Sequence, residues 1–194
     1  MPVKVSVNLC CFNSEKYLAE TLDSIAGQTY KDWELVVVDD GSTDSTRKII
    51  EEYIGRGLPI LYHHQANQGL ARARNKCLEL STGEFIAFID HDDIWLAEKL
   101  ERQIPLFNNQ SVSLVYADAL SFYEGTGRTY RCLNQTASRG NIFRQQFGVY
   151  NLNLQTVILR RSAIDSLDHG FDPRLRLTEE VDIFLRILLR HQAD

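Results

Sequence analysis

Three acids and an imidazole follow an apolar run in the stretch GEFIAFIDHDDIW, residues 83–95, where Asp90, His91, Asp92 and Asp93 stand between Ile89 and Ile94. Asp93 has a plain reading as an acid capping a helix that begins at WLAEKL, because a helix N-terminus favours negative charge. Asp90 and Asp92 together need more. Two carboxylates one residue apart at a strand end repel each other, and a hard cation that prefers oxygen ligands relieves that repulsion. Mn²⁺ or Mg²⁺ carrying a diphosphate is the matching chemistry. His91 receives no role.

A second acidic pair, Asp39-Asp40, precedes Gly41 and Ser42-Thr43-Asp44. Gly41 permits positive φ in a tight turn, and Ser42, Thr43 or Asp44 can cap the next helix. Turn and cap leave the doubled acid unexplained. An Asp aimed across the strand ends can accept a hydrogen bond from a nucleobase N–H or a ribose hydroxyl. In NQGLARARN, Arg72 and Arg74 occupy the first turns of a helix, where the dipole disfavours cations. A phosphate or the acids of neighbouring loops would satisfy them, and simple solubility suffices for one of the two. Glu179-Glu180 opens the last helix, a placement the dipole favours in any protein, and Asp182 with Arg186 forms an i,i+4 pair at the surface or between lobes. Val181, Phe184, Leu185, Leu188 and Leu189 make its packing stripe. His63, His64, His169 and His191 lack ligand spacing and read as structural or surface residues.

Alternating strands and helices must hold these groups. VKVSVNL, WELVVVDD, PILYHH and EFIAFID read as strands. The helical patterns are SEKYLAETLDSIAGQ, STRKIIEEYI, LARARNKCLELS and WLAEKLERQIPLF. This βαβ order predicts an α/β fold with a mainly parallel sheet covered by helices on both faces, and ligands outside the carboxyl ends of the strands. The acids gather at those ends, with Asn13 and Asn67 just after strands one and three. From about Ser111 the pattern changes. SVSLVYADALSFYEG, GRTYRCLN and LQTVILRRS read as strands of a smaller mixed lobe on the same sheet, closed by the helix EEVDIFLRILLRHQ with Thr178 as its cap.

At 194 residues and 44% hydrophobic composition, the chain suits one domain with a sizeable core. A net charge of −5 leaves no basic footprint for nucleic acid and no polybasic membrane patch. The N-terminal apolar stretch is interrupted by Ser6 and Asn8, unlike a signal peptide, and no run approaches a membrane span. Cys10, Cys11, Cys77 and Cys132 show no metal-ligand spacing and read as reduced, mostly buried thiols of a cytosolic protein.

Taken in order, VSVNLCCFNSEKYLAETLDSIAGQTYKDWELVVVDDGSTDST, NQGLARARN, STGEFIAFIDHDD, LQTVILRRS and GFDPRLRLTEEVDIFLR resemble the family 2 glycosyltransferases of GT-A fold over nearly the whole chain. Five ordered motifs are far more specific than any one of them. The resemblance implies a single domain over residues 1–194, with a nucleotide-sugar-binding half at 1–110 and an acceptor-side half at 111–194. It implies that Cys11 and Asn13 border the nucleobase and that Asp40 contacts a uracil-like base. Asn67 and Arg74 complete the nucleotide pocket, with Arg72 a secondary candidate. Asp90 lies near the ribose, Asp92 is the ligand to Mn²⁺ or Mg²⁺, and Glu180 is the catalytic base.

The implied reaction is inverting transfer of a hexosyl or N-acetylhexosaminyl group from a nucleotide-sugar donor, a UDP-sugar, to a hydroxyl of a glycan or lipid-linked acceptor. Cell wall or polysaccharide synthesis in the cytoplasm, at the inner face of the membrane, is the implied setting, with no nucleic-acid partner. Three places depart from the family pattern. LCCFN replaces a loop that usually carries Pro, Glu180 stands where Asp is usual, and the chain ends at RHQAD where members usually continue. The last implies a truncated C-terminus, with peripheral membrane association residing in the missing segment. The competing reading is a catalytically impaired nucleotide-sugar-binding module, which would bind UDP without transferring sugar. A sugar nucleotidyltransferase fits less well, because no Gly-rich phosphate loop follows strand one.

Overall fold

The computed structural model describes residues 5–132 and 137–194. Residues at the start of the first expected strand and the last two of GRTYRCLN lie outside that range. Strands β1 (Val5–Cys11), β2 (Trp33–Asp39), β3 (Ile60–His64) and β4 (Phe85–Asp90) are parallel and lie side by side as β3-β2-β1-β4. Beyond β4 the same sheet continues through β8 (Ile158–Arg160), β5 (Val112–Val115) and β9 (Gln192–Ala193). Strand β8 runs antiparallel to both β4 and β5. A separate hairpin pairs β6 (Leu120–Phe122) with β7 (Thr129–Arg131).

Strand β1 is buried along its whole length, so both faces need partners. Val5, Val7, Leu9 and Cys11 pack on one face with α1 (Leu18–Ala26) and α2 (Thr46–Gly55). The other face carries Ser6 and Asn8, the two residues that break the apolar run. Ser6 Oγ donates to Glu34 (2.6 Å), and Asn8 Oδ1 accepts from Ser81 Oγ (2.7 Å). Pairing of this kind is what makes polar groups tolerable inside a sheet. Helices α3 (Leu70–Leu80) and α7 (Glu179–Leu188) cover that face, with Phe88, Phe171 and Phe184 at the centre of the packing. Among the described residues all four cysteines are free thiols, and Cys10 and Cys77 sit with sulfurs 3.6 Å apart between β1 and α3.

Several expected elements are shorter than predicted. The helix expected over residues 95–107 reduces to α4 (Lys99–Gln103) and a 3₁₀ turn at Ile104–Asn108. Pro105 accounts for the change at the C-terminal end, since it supplies no amide hydrogen and disfavours α geometry at the residue before it, and at the other end α4 starts only at Lys99. Asp93 therefore caps no helix. The irregular stretch before α4 is instead pinned to α1. The Thr21 hydroxyl lies 2.9 Å from the carbonyls of both His91 and Asp93, and buried Gln28 donates to Leu96 O (2.9 Å) and accepts from Leu100 N (3.1 Å). LQTVILRRS is not one strand but a 3₁₀ turn, the three residues of β8, and α6 (Arg161–Asp165). The short helix α5 (Phe143–Gly148) occupies a segment whose polar sequence gave no periodic signal.

The buried stripe of α7 is Ile183, Phe184, Ile187 and Leu188, whereas Leu189 is 60% exposed. The helix ends at Leu188, and the chain turns into β9. Thr178 stands at the cap position of α7 without making a side-chain capping bond. Among the described residues, no helix is long and apolar enough to cross a membrane.

Candidate active site

The carboxyl ends of β1, β2 and β4 converge on one rim, as the crossover order requires. Asp39 and Asp40 divide the work at the end of β2. Asp39 is fully buried and accepts from Ser42 N (2.8 Å), Tyr62 Oη (3.0 Å) and His64 Nδ1 (3.2 Å). Burial alone would raise its pKa, but the bonds from Ser42, His64 and Tyr62 hold it below the ordinary carboxylate range. Asp40, 5% exposed, accepts from Gln65 Nε2 (2.7 Å), Gln68 N (2.9 Å) and Gly69 N (2.8 Å). A carboxylate has about four lone-pair sites, so roughly one stays open for a ligand. The doubled acid thus has a structural answer: one Asp fixes the turn, the other fixes the loop ahead of α3.

Asn13 has φ of 51° and joins the first two loops, accepting from Thr43 N through Oδ1 (2.9 Å) and donating its own N–H to Ser42 Oγ (2.9 Å). Asp44 accepts from Thr46 N (3.0 Å) at the start of α2 and from Glu15 N (3.0 Å). The Cys11 side chain is 2% exposed and points into the core, where burial raises its thiol pKa well above the ordinary value. Any contribution from this position to the rim must come from its backbone. Asn67 is exposed and sits against Gly41, whose φ is +89°. A Cβ at Gly41 would stand 2.9 Å from Asn67 N. Gly41→Ala is expected to lower stability by about 1–3 kcal/mol through backbone strain and this collision, as measured by denaturant midpoint.

Arg74 is the centre of the rim. Although 5% exposed, it donates from Nη2 to Asp90 Oδ1 (3.2 Å) and from Nη1 to Glu179 Oε1 (2.9 Å). Its Nη1 also lies 3.7 Å from Glu180 Oε2. The partners of a cation at a helix N-terminus are therefore acids from β4 and α7. Glu179, readable in sequence only as a dipole-favoured acid, is 2% exposed and is the principal partner. Glu180 is partly buried, and burial, followed by the nearby charges of Glu179 and Asp90, raises its pKa despite its own backbone bond and Arg74. Asp182 is held by Arg186 (2.9 Å), which also donates to the carbonyls of His169 and Gly170.

Asp90, partly exposed, and Asp92, exposed, stand two residues apart at the end of β4. Negative charge has accumulated there, since burial and the charges of Asp90 and Asp92 push Asp93 up to about 7. Among the described residues no three ligating side chains converge. Two carboxylates suit Mg²⁺ or Mn²⁺, which keep much of their shell for water and phosphate oxygens.

The family model described as Glycosyl transferase family 2 matches residues 6–167. The chain is 33% identical over 174 residues to UDP-Glc:alpha-D-GlcNAc-diphosphoundecaprenol beta-1,3-glucosyltransferase WfgD of Escherichia coli, covering 86% of this chain and 64% of that enzyme. The structure of S. aureus TarS 1-349 in complex with UDP-GlcNAc superposes with a TM-score of 0.80 at 28% identity, covering 98% of this chain and 56% of that one. Mannosyltransferase PcManGT from Pyrobaculum calidifontis, solved with GDP-Man and Mn²⁺, shares the fold at a TM-score of 0.73 and 19% identity, covering all of this chain and 54% of that one. The chain thus spans under two thirds of the length of each of these proteins. The two solved structures are similar to it in fold, a mainly parallel GT-A sheet.

Proposed function

Because the chain belongs to glycosyl transferase family 2, we propose that it moves a hexosyl or N-acetylhexosaminyl group from a UDP-sugar to a hydroxyl of a glycan or lipid-linked acceptor, with inversion. The observation that carries this reading is the meeting of Asp90, Arg74 and Glu180 on one rim, with the Asp40-braced loop beside them. UDP-GlcNAc in TarS and the UDP-Glc and lipid-diphosphate in the name of WfgD support the donor and acceptor classes. Residues 1–110 would supply the donor side and 111–194 the acceptor side of one domain. The setting that agrees with such acceptors is polysaccharide or cell wall synthesis in the cytoplasm, at the inner face of a membrane.

Cys11, through its backbone, and Asn13 would border the base, with Asp40 offering its remaining lone pair to a uracil-like N–H and Asn67 closing that pocket. Asp90 would approach the ribose. Asp92, with Asp90, would hold Mn²⁺ or Mg²⁺, which when bound supplies Lewis acidity toward the departing diphosphate. Glu180 takes the proton of the acceptor hydroxyl as that oxygen attacks the anomeric carbon from the face opposite the nucleotide. One displacement inverts the centre, so no enzyme nucleophile is needed. Asp92→Ala is expected to weaken UDP binding roughly tenfold or more in Mn²⁺, in line with loss of a metal-site group, and to abolish the response of affinity to Mn²⁺. Calorimetric titration of UDP with and without Mn²⁺ checks this, and unchanged Mn²⁺ dependence would remove Asp92 from the site.

A further inference from the structure

Arg74 finds its partners in Asp90 and Glu179, but Arg72, two residues earlier on α3, has no side-chain partner among the described residues, and neither has Arg176. Both exposed arginines line a cavity of about 520 Å³ between the start of α3 and the start of α7. The two helices have 11 and 10 residues, so each presents the positive end of its dipole there. Cations at such ends are unfavourable unless an anion joins them.

Glu179 lines the same cavity and is 2% exposed. Its Oε1 takes the bond from Arg74, while its buried Oε2 has no partner. Arg74 is shared among Asp90, Glu179 and Glu180, and among the described residues neither Arg72 nor Arg176 lies within ion-pair distance of these acids. An unfilled acceptor oxygen beside two unmatched cations calls for a ligand with both a hydroxyl donor and negative charge. Leu175 adds an apolar wall, and Gln68 adds an amide group. A sugar carrying a phosphate has this combination.

We propose that Arg72 and Arg176 form an anion subsite for the acceptor, which holds a sugar-linked phosphate while Glu179 Oε2 accepts from a hydroxyl of that sugar. The proposal rests on the transferase reading and sharpens it, because it makes the acceptor a phosphate-bearing saccharide rather than a neutral glycan. The donor diphosphate would belong to Asp90 and Asp92, neither of which lines this cavity. Glu180, adjacent to Glu179, then stands within one residue of the bound acceptor.

Glucose 1-phosphate is the probe, titrated calorimetrically into the chain with and without saturating UDP and Mg²⁺. Binding is expected in both conditions. Arg72→Gln and Arg176→Gln should each weaken it about tenfold, as loss of one charge-assisted contact of roughly 1.4 kcal/mol predicts, and the double variant should lose measurable binding. UDP affinity should stay within twofold throughout, and Arg128→Gln, on the distant hairpin, should change neither ligand. Failure of the wild type to bind glucose 1-phosphate, or equal binding by the double variant, overturns the proposal. So does displacement of the probe by UDP with a parallel loss of UDP affinity in the variants, because the arginines would then serve the donor. Absence of UDP binding by the wild type would overturn the donor reading instead, while the titration without UDP still reports on the arginine pair.

Discussion

Glu180→Gln is expected to leave UDP affinity within about twofold of wild type and to lower sugar transfer by roughly 10²–10⁴-fold, the usual effect of removing a general base. Three acids cluster at the start of α7, and their surroundings separate them. Glu179 is buried against Arg74, and Asp182 is bound to Arg186. Glu180 alone keeps its nearest cation beyond hydrogen-bonding range, with Oε2 3.7 Å from Arg74 Nη1. A carboxylate that is half-desolvated and not already hydrogen-bonded to a cation is the better proton acceptor. Its raised pKa also fixes the sign of the pH dependence. The base must be ionised, so transfer should rise with pH through a midpoint above the ordinary glutamate range and fall below it. Steady-state rates from pH 4 to 8 on both proteins provide the check. Wild-type turnover by the Gln variant, or an unchanged acid limb in its residual rate, would take the base role away from Glu180.

Arg74→Met is expected to cost about 3–5 kcal/mol of stability, because it leaves the buried carboxylate of Glu179 without its cation. Removing both partners should cost much less. Arg74→Met combined with Glu179→Leu replaces a buried pair by apolar groups of similar volume, and such exchanges are often neutral. Guanidinium midpoints of the single and double variants give the coupling directly. A double variant as unstable as Arg74→Met would mean that the arginine acts through its packing, for instance over the Phe171 ring 5.6 Å away, rather than through Glu179.

The parallel half of the sheet was legible in the sequence because β2 and β4 are apolar runs closed by Asp39-Asp40 and Asp90, with the alternating β1 and the short β3 spaced between helical patterns. The burial of β1, β2 and β4 on both faces is what parallel strands covered by helices require. The doubled acid at 39–40 could be noticed but not resolved. Which carboxylate fixes a turn and which braces residues 65–69 depends on side-chain direction at the strand end. Cys11 fell on the expected loop yet points inward, since alternation along β1 places it with Val5, Val7 and Leu9. The helix after Asp93 is overextended at both ends, because residues before Lys99 bond instead to Thr21 and Gln28 and the backbone tightens to 3₁₀ geometry around Pro105. Glu179 gave no signal at all. Acids at helix starts are common, and its partner lies 105 residues away on another helix.

That same separation bears on how the molecule is assembled. Strands β1 and β2 pair across 28 residues (Val5 with Trp33) and β2 and β3 across 25 (Leu35 with Ile60), while β1 and β4 pair across 80 (Val5 with Phe85). The Arg74–Glu179 bridge closes a loop of more than a hundred residues, and it can be rewarded only after the intervening hairpin, β8 and α7 have been brought to the sheet. A nascent chain could therefore complete the sheet's parallel half while its two decisive carboxylates are still far apart. The rim that joins Asp90, Arg74 and Glu180 is complete only once α7 has reached the sheet.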